Sequence, residues 1–201
     1  VSLRPGVGLN PCLPPSRPAG RARSFCFLNQ EKSFPDDGVD WACQDMPRQW
    51  RRDLHGFGYL FDPDRSHAVK VQLISEWIAK NSPGRGDGWE PSALSVRIVN
   101  WIKFFLRHDK VVQESWRHSL YTQAAWLEQN IERHILANHY LKNAVALFFA
   151  GMYFEGEAAE RWLKRGWTML LQELKEQFLA DGGHYERSPM YHSICVCDYL
   201  D

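Results

Sequence analysis

After Asp62-Pro63-Asp64, apolar residues recur every three or four positions through most of the chain, the mark of amphipathic helices. The first helix spans about residues 66–81 and turns Val71, Ile74, Trp77 and Ile78 to one side before Ser82-Pro83-Gly84 ends it. A second follows Trp89-Glu90-Pro91, runs to about Arg107 and is apolar nearly all round. The third, about 119–136, is one-sided: Leu120, Ala124, Leu127, Ile131 and Ile135 face inward, and Glu128, Gln129, Glu132 and Arg133 face water. The fourth, about 140–154, is again apolar all round, and the fifth, about 158–178, one-sided. A sixth begins at Ser188-Pro189, where Ser caps and Pro suits the first turn.

A helix apolar all round must be covered on every side, whereas a one-sided helix lies on the outside of its layer. Inner and outer helices therefore alternate, and short connections make sequential neighbours antiparallel. The expected fold class is all-α, an incomplete (α/α) toroid whose second, fourth and sixth helices are inner and start at one end. A stacked solenoid is the runner-up, but no repeated consensus supports it. Seven of the eleven prolines fall between Pro5 and Pro47. Residues 1–47 are thus expected to be a Pro/Gly-rich wrapping or linking leader without regular structure, and residues 48–201 the partial toroid.

Lys+Arg and Asp+Glu number 24 each, so no global basic field exists and a nucleic-acid partner is not expected. Any anionic ligand must be held locally. No stretch has the length and apolarity of a membrane span, and the Pro-rich start does not read as a signal core. Cys12, Cys26, Cys43, Cys195 and Cys197 show no Cys-x-x-Cys spacing, which argues for packing or surface roles over a zinc site or disulfide framework. Val at the start, and an end inside a helical run, suggest a fragment of a longer protein.

The residues just before the inner helices should converge at one mouth: Trp89-Glu90, Asn138-His139 and Glu186-Arg187-Ser188-Pro189-Met190-Tyr191-His192. Helix N-termini offer unpaired N–H groups and a positive dipole end, which suit a carboxylate. Together these side chains make a concrete chemistry. An amide and an imidazole hold the carboxylate, a phenol transfers a proton, and an arginine orients the anion. Trp89, after the loop Pro83 to Gly88, suits stacking on a sugar ring. Each residue also has a structural reading: Asn138 as a helix cap, His139 and Tyr191 as half-buried packing groups, and Arg187 with Glu186 as a surface pair. A metal site is not expected, since His134 and His139, five apart, share no helix face. Only Glu90 with Glu186 would serve glycoside hydrolysis, which needs two carboxylates across the cleft.

Five motifs point to a family: Trp50-Arg51-Arg52-Asp53-Leu54-His55-Gly56-Phe57; Gly88-Trp89-Glu90-Pro91 with Ser95-Val96-Arg97-Ile98-Val99-Asn100-Trp101; Asn138-His139; Phe154-Glu155-Gly156-Glu157; and Asp181-Gly182-Gly183-His184-Tyr185-Glu186-Arg187-Ser188-Pro189-Met190-Tyr191-His192. Over about Phe25 to Asp201 the chain resembles the heparinase II/III family of polysaccharide lyases. The resemblance implies an incomplete toroid followed by an antiparallel β-sandwich domain that is not in this chain. It also implies cleavage of an acidic, uronate-containing polysaccharide by β-elimination. Asn138 would neutralise the uronate carboxylate, His139 would assist or act as base, and Tyr191 would protonate the leaving oxygen. Trp89, Glu90, Arg97, Glu186, Arg187 and His192 would line the substrate cleft.

No cofactor is expected in this chain, any structural metal of the family belonging to the absent sandwich domain. The family setting is periplasmic or secreted. Leu54-His55-Gly56-Phe57 lacks one aromatic of the family pattern, and apolar surface left bare where the missing domain docks would favour a homo-oligomer. The competing readings are a non-catalytic glycan-binding or exopolysaccharide assembly domain, in which Trp89 and Arg187 grip an acidic glycan, and a glycoside hydrolase on the same toroid.

Overall fold

A computed structural model describes residues 1–6, 23–133 and 138–201; Cys12 and the expectations for His134 and Ile135 lie outside them. The chain first forms a hairpin of β1 (Ser24–Phe27) and β2 (Gln30–Ser33), antiparallel with Phe25 opposite Lys32. Leu28 and Asn29 take φ of 53° and 59° at its turn, the left-handed pair that matches strand twist. Regular structure inside the leader corrects the expectation of none. Two alternating phenylalanines are too short a signal beside so many prolines, and tertiary contacts supply the rest. Phe25 packs edge-on against Tyr59 (4.8 Å) and Phe27 against Trp50 (5.1 Å), while Val39, Trp41 and Cys43 are also buried. The segment wraps the helices and completes their core.

A short helix that periodicity did not reveal, α1 (Arg48–Gly56), comes next and ends at Phe57 in a left-handed conformation. Then follow α2 (His67–Lys80), α3 (Pro91–Arg107), α4 (Glu114–Gln129), α5 (Asn138–Tyr153), α6 (Glu157–Gln177) and α7 (Pro189–Leu200). Ser66 and Ser188 cap α2 and α7 through the amides of Val69 and Tyr191, with Pro91 and Pro189 in the first turns of α3 and α7. The third predicted helix is displaced. It starts at Glu114 and ends at Gln129, where Asn130 folds its side-chain amide back onto the carbonyl of Trp126 (2.8 Å). Glu128 and Glu132 therefore do not face water: Glu128 accepts from Trp162 Nε1 (2.8 Å), and Glu132 is buried.

The helices form two layers. In the inner row α1 packs on α3, α3 on α5 and α5 on α7; α4 and α6 lie outside against α5, and α2 against α4. The α5–α6 contact is close because Gly151 and Gly166 have no side chain: a Cβ at either would strike the backbone of Leu163 or Phe148. Asn143 donates to Ser95 Oγ (3.0 Å), joining the second turns of α3 and α5, and Lys103, late in α3, pairs with Asp201 just after α7 (2.5 Å). The inner helices thus start at one end, as the alternation requires. The sixth predicted helix differs in one respect: α7 buries only Cys195, because its far side has no neighbour among the described residues. Among the described residues no helix is long and apolar enough to cross a membrane.

Candidate functional site at the inner-helix rim

The rim begins with charge. Arg48 and Arg52 of α1 both hold Glu90, the residue before α3, at 2.7 and 3.1 Å, and Arg51 pairs with Asp87. The Arg48 guanidinium is pushed up chiefly by its hydrogen bond to Glu90, with the Glu90, Asp87 and Glu132 charges adding to it. The ion pairs tie the start of α1 to the turn before α3. Glu90 is consequently ion-paired twice. Glu186, by contrast, is exposed beside Tyr185.

Asn138 and His139 open α5, both half-buried. His139 Nδ1 lies 3.3 Å from Glu132 Oε2. A carboxylate oxygen there suits a proton on Nδ1, and in that neutral tautomer the lone pair is on Nε2. Glu132 is itself held: its amide donates to Asn143 Oδ1 (2.9 Å), the same Asn143 that bonds Ser95. From sequence Glu132 reads as the outward face of a helix; it lies seven residues before His139. Tyr191 stands half-buried in the first turn of α7, the next helix of the inner row. His192 beside it packs edge-on against Phe178 (5.8 Å), with a buried Nδ1 that lacks a protein partner among the described residues. Arg187 is exposed, at φ 54°. Among the described residues, no group of three or more His, Cys, Asp or Glu could hold a metal ion.

Two expected substrate contacts belong to the core instead. Trp89 is 4% exposed, 6.1 Å from Trp77 and edge-on to Trp126 at 5.9 Å, so its faces are covered by protein and no sugar reaches them. Arg97 is fully buried. It donates to Gln123 Oε1 (2.8 Å) and to the carbonyl of His55 (3.1 Å), with its guanidinium 3.9 Å from the Trp77 ring centre. Burial holds its pKa well below the usual guanidinium range. A loop position suggests a cleft for Trp89, and the family motif does so for Arg97; instead α2 and α4 cover both, through Trp77 with Trp126 and with Gln123, and α1 adds the His55 carbonyl at Arg97.

The fold agrees with that of known proteins. The family model of the heparinase II/III N-terminus matches residues 27–201. The chain belongs to the heparinase II/III family. The heparin-sulfate lyase of Pedobacter heparinus is 28% identical to this heparinase II/III domain over 181 residues, 80% of the chain and 27% of that protein. Its counterpart from Bacteroides thetaiotaomicron is 23% identical over 188 residues, 83% of the chain and 27% of that protein. In structure, the domain matches heparan sulfate lyase HepC from Pedobacter heparinus with a TM-score of 0.67 at 23% identity, over 89% of this chain and 31% of that one. Heparinase III matches at 0.65 and 21% identity, over 83% and 28%. The helical fold is therefore shared. The chain spans about 27% of the length of the curated relatives it matches.

Proposed function

We propose that the protein carrying this domain is a polysaccharide lyase that cleaves a uronate-containing acidic polysaccharide by β-elimination, with Asn138, His139 and Tyr191 as its catalytic residues. The observation that carries this reading is the placement of Asn138-His139 and Tyr191 in the first turns of neighbouring inner helices that start at one end. Elimination beside a carboxylate needs that group's charge masked, because a carbanion forms next to it. The Asn138 amide and the free N–H groups of the α5 start are donors suited to that task. A base removes the proton from the carbon bearing the carboxylate, and His139, with Glu132 on Nδ1, offers a lone pair on Nε2 for it. The electron pair forms the ring double bond as the bond to the 4-linked oxygen breaks. Tyr191 gives its phenolic proton to that oxygen, a phenol being protonated at neutral pH.

Arg187, Glu186 and His192 flank Tyr191 and line the substrate in this reading; Glu90 shapes the rim through its two arginines. The remaining length of the protein supplies a C-terminal β-sandwich closing the other side of the cleft, and a periplasmic or secreted setting follows from such a substrate. The test is an assay of the whole protein on heparan-type, alginate and other uronate polysaccharides, following ultraviolet absorbance of the unsaturated product. Absorbance that rises on one of these and is lost on Tyr191→Phe supports elimination. Glycan binding without any rise defeats it in favour of a non-catalytic acidic-glycan-binding domain.

A further inference from the structure

The turn between α6 and α7 is closed around one imidazole. His184 is buried, and both ring nitrogens are engaged. Nδ1 lies 3.3 Å from the amide nitrogen of Glu186, and Nε2 lies 2.9 Å from Gln177 Oε1. A main-chain amide only donates, so Nδ1 must accept; the ring proton is then on Nε2 and donates to Gln177. Gln177 passes the chain on, its amide donating to Glu173 Oε2 (2.5 Å) on α6. From α7, Cys195 Sγ approaches His184 Nε2 to 3.6 Å and Gln177 Oε1 to 3.7 Å. Burial pushes the Cys195 thiol up to about 11, so it packs here as a neutral thiol.

The main chain follows the ring. Tyr185 donates its amide to the Gln177 carbonyl (2.8 Å), Arg187 its amide to the His184 carbonyl (2.9 Å), and Phe178 and His184 form an isolated bridge. Arg187 is thereby held in the left-handed region, where a side chain other than glycine is uncommon and must be imposed by its surroundings. One residue later Ser188 caps α7 through the amide of Tyr191 itself. His184 thus joins α6, the turn and α7 seven residues before the phenol.

We propose that His184, in its Nε2–H form, is the positioning residue that fixes this turn and so sets where Tyr191 stands at the head of α7. The proposal rests on the reading of Tyr191 as proton donor. His184 is too buried to touch substrate; it acts through the turn. The titratable groups around it are Glu173 on α6, Cys195 on α7, and Tyr185 and Glu186 in the turn. A doubly protonated ring would set a second N–H against the Glu186 amide and open the turn.

The experiment uses the whole protein with nitrogen-labelled histidine and two variants that divide the ring's functions. In the wild type, ring-nitrogen NMR should report Nε2 protonated and Nδ1 bare; the opposite tautomer overturns the proposal. His184→Asn keeps an acceptor in the place of Nδ1, and His184→Gln keeps only the Nε2 side. Hydrogen exchange at the Glu186 and Tyr191 amides should stay slow in the Asn variant and accelerate in the Gln variant. The Gln variant should lose kcat by about 10²-fold with KM unchanged, the cost of misplacing a reacting group, and the Asn variant should recover most of it. Wild-type exchange and kcat in the Gln variant, or equal losses in both variants, would sink the positioning role. A wild-type protein that cleaves no uronate polysaccharide sinks the lyase reading alone, while tautomer and exchange still decide whether His184 anchors the turn.

Discussion

Two motif clusters stand a helix apart and differ in their access to water. Around the start of α3, Trp89, Trp77, His55 and Arg97 are all buried: Trp77 donates to His55 Nδ1 (3.0 Å), and Arg97 lies against the Trp77 ring. At the starts of α5 and α7, Asn138, His139, Tyr191 and His192 are half-buried, with Glu132 behind His139. Both clusters are rich in aromatic and ionisable groups, so residue type does not separate them. The first builds the wall that holds the rim, and the second stands on that wall. Burial therefore sorts motif residues into those that shape a site and those able to act in it.

The comparison breaks most visibly at the phenol. Tyr191→Phe in the whole protein should lower turnover by roughly 10² to 10⁴-fold, the usual worth of a positioned acid, with an unchanged melting temperature. Retained turnover would remove Tyr191 from the acting cluster. Trp89→Ala should do the reverse, costing about 3–5 kcal/mol in denaturant unfolding, as deletion of a buried aromatic does, without a selective rise in KM. Normal stability with weakened glycan binding would return Trp89 to the cleft.

A third expectation concerns acid. Burial, helped by the Arg97 charge, drops the His55 imidazole from 6.5 to about 3, so the unfolded chain takes up this proton first. The contribution of His55 is whole above about pH 6.5 and is lost as pH falls toward 3, at a slope of up to about 1.4 kcal/mol per pH unit. Urea unfolding as a function of pH measures it; His55→Asn should flatten that slope while keeping an acceptor for Trp77, and an unchanged slope would show that His55 is not the group responsible. The smallest effect is expected at Glu132→Gln. The variant keeps an acceptor for His139 but not the charge, and should cost roughly tenfold in turnover, the scale of a partner that orients another group. No change would make Glu132 part of the wall.

The long helices were legible because each carries its own signals: Ser66 and Ser188 as caps, Pro91 and Pro189 in first turns, and apolar positions repeated over many residues. α1 and the hairpin were not, since nine and four residues are too few for a period to emerge. Both persist because Trp50, Phe25 and Phe27 are buried against one another and Tyr59. At the site, Asn138, His139 and Tyr191 were legible as residues at the heads of inner helices. Glu132 and His184 were not, because each gains its role from a partner seven positions away, a relation no helical or strand spacing describes.

By itself, then, the amino-acid sequence determined where most of the long helices lie, that inner and outer ones alternate, and which end of the inner row gathers the polar motifs. These follow from local period and capping, and hydrophobic burial enforces them wherever the chain folds. Only the tertiary structure decided which motif residues are left to meet a ligand. Exposure is a property of what packs on top of a side chain, and Trp89 and Arg97 are covered from α2 upstream and α4 downstream, by Trp77, Trp126 and Gln123. Packing likewise brings Ser95 to Asn143, 48 residues on, and lets Asn143 hold Glu132 behind His139.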